Sequence, residues 1–81
     1  MNKKELEEYI NQGNEIEFIY NNKKFSITYG EFNGKEMISF CEFNKETTEV
    51  KTVEELLEVK RYGISVEQML LECKEKNIWI F

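Results

Sequence analysis

The stretch "EIEFIYNNKKFSITYGEFNGKEMISFCEF", residues 15–43, alternates apolar and polar side chains with a period of two and is broken by two short polar turns. This period is typical of β-strands that bury one face. In its first half, a polar turn over residues 21–24 separates two such runs. The hairpin predicted from this turn pairs three residues of each strand, namely Tyr20 with Phe25, Phe18 with Ile27 and Ile16 with Tyr29.

A second turn, Asn33-Gly34, is the strongest short hairpin signal and fixes its own register as a two-residue turn. It pairs Tyr29 with Ile38 and Ile27 with Phe40. The two turns agree, since together they place eight apolar side chains on one face of a three-stranded antiparallel meander. These residues are Ile16, Phe18, Tyr20, Phe25, Ile27, Tyr29, Ile38 and Phe40.

Helical periodicity appears on both sides of the meander. Three residue pairs have the spacing of a capping box and predict helix starts: Asn2 with Glu5, Thr52 with Glu55, and Ser65 with Gln68. Gly13 and Gly63 are predicted to end the first and second helices. The third helix carries an apolar stripe formed by Val66, Met69, Leu70 and Cys73.

We therefore predict an α+β fold with the order α-β-β-β-(β)-α-α, followed by an apolar C-terminal tail. The antiparallel meander has three strands, or four if "TTEVK", residues 47–51, also forms a strand. We expect one N-terminal helix and two C-terminal helices, packed on the face that bears Phe18, Ile27 and Phe40. A chain of 81 residues suits a single core, so residues 1–81 are interpreted as one domain.

The amino-acid composition and the cysteine usage restrict the class and location of the protein. The chain has 33% charged residues and no run of 18 apolar residues, which argues against a membrane span. Its first residues, "MNKKELEEYI", contain glutamates where a signal peptide requires an apolar segment. Cys41 and Cys73 both lie in apolar periodic patterns, where reduced cysteines behave as small hydrophobic residues. We expect a cytoplasmic protein with no membrane partner.

The residues needed for common catalytic and metal sites are scarce. The sequence has no His and no Asp, so neither cysteine has a histidine base, and two cysteines cannot complete a structural zinc site. Glutamates one helical turn apart, such as Glu54 and Glu58, are typical of a solvated helix face. No nucleotide-binding motif occurs. We expect no enzyme activity, no catalytic residue, no metal and no cofactor.

The second face of the predicted meander is too apolar for open solvent, most clearly in "MISFCEF", residues 37–43. The tail "IWIF", residues 78–81, also alternates, and we expect it to be held either as an added edge strand or beneath the helices. One interpretation is that the fold itself buries both. The other is a surface that binds a protein partner or a second copy of the chain. The residues assigned to this partner-binding surface are Met37, Cys41, Phe43, Trp79 and Phe81.

The net charge of −5 and the pI near 4.8 disfavour direct binding of nucleic acid. They leave open an acidic inhibitor that occupies a nucleic-acid-binding protein of host defence. The acidic surface for this alternative would consist of Glu46, Glu49, Glu54, Glu55 and Glu58. Lysines and an arginine are interspersed with these glutamates, which argues against a concentrated acidic face. A structural accessory module without a dedicated site is a further alternative.

Two segments carry a resemblance: "GNEIEFIYNNKKFSI", residues 13–27, and "TVEELLEVKRYGISVEQMLLE", residues 52–72. In these segments the chain resembles small uncharacterised proteins of low-GC Gram-positive bacteria and their prophages. The resemblance brings no catalytic residues. It implies an origin in a phage or mobile element, and with it a small protein that binds and modulates a host or competitor protein.

Overall fold

The computed structural model describes all 81 residues and has the predicted α+β fold. Three α-helices accompany a five-stranded antiparallel sheet. In chain order the elements are α1 (Lys3–Asn11), β1 (Ile16–Tyr20), β2 (Lys23–Phe32), β3 (Lys35–Glu42), β4 (Thr47–Val50), α2 (Val53–Glu58), β5 (Lys60–Arg61), β6 (Ile64–Ser65), α3 (Val66–Glu72), a 3₁₀ turn (Glu75–Asn77) and β7 (Ile78–Ile80).

The main sheet has the strand order β4-β3-β2-β1-β7, so the optional fourth strand is formed and the C-terminal tail supplies a fifth. The register predicted from Asn33-Gly34 is confirmed, because Tyr29 lies opposite Ile38 and Ile27 opposite Phe40. The tail is an edge strand that runs antiparallel to β1. Ile80 lies opposite Ile16, so this pairing joins two segments that are far apart in the sequence.

The predicted register of the first hairpin is wrong by two residues. Phe18 lies opposite Phe25, and Tyr20 lies opposite Lys23, because only two residues form the turn. Asn21 and Asn22 both have positive φ angles, 51° and 63°, as a two-residue turn of this hand requires. A shift of two residues preserves the side-chain faces of both strands, so the face assignment survives the error.

The second helix is shorter than predicted, since α2 ends at Glu58 rather than at Gly63. Gly63, with φ +75°, instead forms a tight turn with Tyr62 between β5 and β6. The hydroxyl of Tyr62 donates a hydrogen bond of 2.6 Å to Glu42, which ties this small hairpin to the main sheet.

The capping boxes of the first two helices are formed in full. In the third, the Ser65 hydroxyl accepts a hydrogen bond from the backbone N–H of Gln68. The Gln68 side chain donates to Glu72 instead of returning to the cap. Only half of the predicted third box is therefore present.

One hydrophobic core lies between the helices and one face of the sheet, which we call the covered face. Six of the eight residues predicted for this face are buried, while Tyr20, at the end of β1, is partly exposed and Tyr29 is exposed. Phe25 stacks between Phe18 and Phe40, with ring centroids 5.2 and 5.6 Å away. The helices contribute buried side chains to the same core: Leu6, Ile10, Leu56, Leu57, Val66, Met69 and Leu70.

Candidate protein-binding face

The other side of the sheet, which we call the open face, carries no helix. Every second residue of each strand has its side chain on this face, and the strand register aligns these residues in rows across the sheet. One row runs from Cys41 through Ser26 and Glu17 to Trp79. A neighbouring row contains Thr28 opposite Ser39. The open face is thus a continuous surface spanning five strands.

The five residues assigned to the partner-binding surface all remain accessible in the single chain. Met37 and Cys41 are partly exposed, while Phe43, Trp79 and Phe81 are 39%, 40% and 63% exposed. Burial of both apolar segments within the fold therefore does not occur. Ile78 and Ile80 do pack against the core, so the tail is buried on one side only.

The structure places these five residues in two groups. Met37 and Cys41 lie on β3, and Phe43 follows its end, whereas Trp79 lies on the edge strand β7 and Phe81 follows it. Three strand spacings separate Cys41 from Trp79 along their row, which is about 14 Å. The apolar side chains therefore flank a polar centre and do not form one patch.

Small side chains occupy the part of the open face at and next to β3. The Oγ atom of Ser26 lies 3.3 Å from the Sγ atom of Cys41, within hydrogen-bonding distance. Ser39 is only 7% exposed, and its Oγ atom has no hydrogen-bond partner within the chain. A buried hydroxyl without a partner is unfavourable, and a bound molecule that reached it could supply the missing hydrogen bond.

The charges next to this centre are paired. The Nζ atom of Lys24 lies 3.3 Å from a carboxylate oxygen of Glu17 and 4.7 Å from the ring centroid of Phe43. Lys24 thus joins the polar centre to an aromatic side chain at its rim. At the edge near Phe81, loss of hydration and the neighbouring Glu17 carboxylate raise the pKa of Glu15.

Sequence reasoning did not select Glu17, Lys24 or Ser39 as site residues. The available signal is the alternation along their strands, which puts Glu17 and Ser39 opposite the buried residues Phe18 and Phe40. Lys24 was assigned to the turn, and only the two-residue geometry of Asn21-Asn22 places it within β2.

The two cysteines lie on opposite sides of the sheet and are both free thiols. Cys41 is on the open face, whereas Cys73 is buried at the end of α3. Burial raises the pKa of the Cys73 thiol.

The glutamates of the acidic alternative do not lie on one surface. Glu49 is opposite Ser39 and so belongs to the open face, while Glu54, Glu55 and Glu58 lie on α2 in the helical layer. A hydrogen bond and charge from Lys3, whose Nζ atom is 2.9 Å away, lower the pKa of Glu54. Glu55 accepts backbone hydrogen bonds from Lys51 and Thr52 at the start of α2. Two of these carboxylates therefore have structural partners.

No group of three or more His, Cys, Asp or Glu side chains is arranged to hold a metal ion. None of the three α-helices has both the length and the apolar character needed to cross a membrane. Comparisons with protein-family models, with curated protein sequences and with solved structures found no match.

Proposed function

We propose that this chain is a non-catalytic protein-interaction domain that binds through its open face, with a second copy of the chain as the partner. The observation that carries the proposal is a sheet covered by helices on one face only, with exposed Phe43 and Trp79 on either side of a centre of small side chains. Aromatic side chains are enriched at protein–protein interfaces relative to the rest of a protein surface.

A second copy fits this face for two reasons. The small side chains of Ser26, Thr28 and Ser39 allow another sheet to approach to the usual packing distance of about 10 Å. Lys24 pairs with Glu17 and so neutralises one of the carboxylates on the face. Two copies could therefore meet here despite the chain's net charge of −5.

The resemblance to phage-type proteins favours a related version, in which the partner is a host or competitor protein that the chain modulates. The two free cysteines are compatible with the reducing cytoplasm, where we place this binding. The acidic inhibitor has less support, since its glutamates occupy both sides of the sheet and Glu54 is paired with Lys3. Affinity for a nucleic-acid-binding protein that barely changed with salt would argue against that inhibitor.

The test is light scattering coupled to size-exclusion chromatography over a wide dilution series. We expect a dimer that dissociates on dilution, and a folded monomer for Phe43→Glu at every concentration. Leu71→Glu is the matched control, because Leu71 is 61% exposed on α3 in the helical layer. Self-association through the open face would be refuted by a wild-type monomer throughout, or by equal effects of the two substitutions.

A further inference from the structure

The two edge strands of the sheet differ in how they are protected. Exposed edges are usually blocked by charged side chains, Pro or covering loops, because their free backbone groups can pair with another strand. At one edge, β4 carries Glu49, and the side chain of Arg61 donates a hydrogen bond to Thr48. At the other edge, β7 has the sequence Ile-Trp-Ile with no charge and no Pro.

Backbone groups of β7 are available for pairing. Glu15 and Phe81 exchange two backbone hydrogen bonds, with N···O distances of 3.2 and 2.8 Å. In an antiparallel ladder, hydrogen-bonded residue pairs alternate with pairs that are not hydrogen-bonded. Trp79 and Glu17 therefore form the next hydrogen-bonded pair after Phe81 and Glu15, and the backbone N–H and C=O of Ile80 point away from the sheet. The N–H of Ile78 donates to Glu75, which leaves three groups without partners in the chain. They are the N–H and C=O of Ile80 and the C=O of Ile78.

A cleft of about 270 Å³ lies beside this edge, on the side of the sheet that the helices cover. Four apolar side chains, from Met1, α1 and β7, line it together with two carboxylates, and the full lining is Met1, Glu5, Tyr9, Glu75, Ile78 and Ile80. The amino group of Met1 donates to the carbonyl of Leu70, so it is already engaged. One oxygen of Glu5 accepts a cap hydrogen bond from Asn2, and Glu75 has no ion-pair partner.

We infer that the β7 edge binds an extended segment of another protein, which adds a sixth strand and places in the cleft an apolar side chain and, two residues from it, a basic one. Strand addition would use the free groups of Ile80 and Ile78 for backbone hydrogen bonds, and alternate side chains of the segment would enter the cleft. Glu5 and Glu75 select a segment with Lys or Arg. They also disfavour a second copy at this edge, because β7 pairing with β7 would bring the carboxylates of both clefts together.

This edge adjoins the open face, since both include strand β7, but the inference uses the backbone of β7 and the cleft on the covered side and does not rest on the open-face proposal. The test starts from a random heptapeptide library displayed on phage, selected on the wild-type protein. We expect enriched peptides in which a β-branched or aromatic residue recurs with Lys or Arg two positions from it. A synthetic copy of the most enriched peptide should shift the amide resonance of Ile80 and slow its hydrogen exchange.

Two variants separate the edge from other surfaces. Ile80→Pro removes the outward N–H without breaking the ladder to β1, and we expect it to abolish peptide binding. The double variant Glu5→Gln, Glu75→Gln keeps a side chain that can complete the cap of α1, and it should weaken binding about fivefold. If Ile80→Pro fails to fold, the double variant and the hydrogen exchange of the Ile80 amide in the wild type still test whether the peptide binds at the β7 edge.

Several results would overturn the inference. The first is a selection in which no peptide is enriched over a support without protein, and the second is enrichment of acidic peptides. The third is a bound peptide that shifts the amide resonances of Ser39 and Cys41 and leaves that of Ile80 unchanged. Protection of the Ile80 amide that rises with protein concentration in the absence of peptide would also overturn it, since a second copy would then occupy the edge. That outcome is distinct from failure of the open-face dimer, which Phe43→Glu tests.

Discussion

The covered and open faces share the same strands, so neighbouring residues of one strand have different surroundings. In β3, Phe40 is fully buried beneath the helices, while Cys41 remains partly exposed on the other side. The covered face is built from large apolar side chains, and the open face has small polar side chains at its centre and aromatic ones at its rim. A single alternating pattern thus serves stability on one face and leaves the other available for binding.

The largest difference between the faces should appear when the same residue type is truncated on each. Phe40→Ala removes a ring stacked on Phe25 and leaves a cavity, so we expect a loss of about 3–5 kcal/mol in the free energy of unfolding. Phe43→Ala removes a ring that is 39% exposed, and the loss should stay below about 1.5 kcal/mol. Urea unfolding of both variants at a concentration where the protein is monomeric measures the two values. Equal losses would contradict the distinction between the faces.

The helices that cover one face depend on their caps, which gives a smaller effect. Thr52→Ala deletes the hydroxyl that accepts the backbone N–H of Glu55 at the start of α2, and it should cost about 1 kcal/mol. Thr47→Ala is the matched control, because Thr47 is exposed on the edge strand β4 and caps no helix. Urea unfolding of the two variants compares them directly. A Thr52→Ala variant no less stable than Thr47→Ala would show that the cap contributes little.

On the open face, Ser39→Ala should change the free energy of unfolding by no more than about 0.5 kcal/mol, and we expect the change to be a small increase. The substitution removes a buried hydroxyl that has no partner, so no hydrogen bond is lost. Ser26→Ala serves as the comparison, since the Ser26 hydroxyl is close to Cys41. A loss above about 1 kcal/mol for Ser39→Ala, measured in urea, would mean that the hydroxyl has a partner in solution.

Local patterns in the sequence were sufficient for the covered face and for the turn at Asn33-Gly34. The period of two assigns side chains to faces even where the register is off by two, as at Asn21-Asn22, because a shift by an even number keeps each residue on its side. Gly63 shows where local signals become ambiguous. A glycine with positive φ suits both the end of a helix and the second position of a tight hairpin turn, and here it forms the hairpin.

Long-range pairing lies beyond such local patterns. The alternation of residues 78–81 predicts a strand, but nothing near these residues specifies β1 as the neighbour. The same limit applies to the site. From the sequence, no helix or strand could be assigned to bury five side chains: Met37, Cys41, Phe43, Trp79 and Phe81. Their separation into two groups depends on the strand order β3-β2-β1-β7, which the sequence did not predict. The ion pair of Lys24 with Glu17 depends on the exact length of the first turn.

The smallest expected effect compares two carboxyl groups whose pKa values shift in opposite directions. A hydrogen bond and charge from Lys3 lower the pKa of Glu54 below its usual 4.5, while loss of hydration and the Glu17 carboxylate raise the pKa of Glu15 above it. Glu54 therefore stabilises the fold above its unfolded-state pKa, and this contribution is lost as the pH falls through its folded-state pKa. Ionised Glu15 has the opposite effect, because its penalty is relieved as the pH falls through its raised pKa.

Urea unfolding between about pH 7 and pH 3.5 distinguishes these two contributions. Glu54→Gln should lose less stability in acid than the wild type. Glu15→Gln should be more stable than the wild type near neutral pH and should lose more on acidification. Glu46→Gln, which removes an exposed carboxylate without an ion pair, controls for the change in net charge. Parallel pH profiles for all three variants would show that neither carboxyl group couples its protonation to folding, and the two sides of the sheet would then not differ in their response to acid.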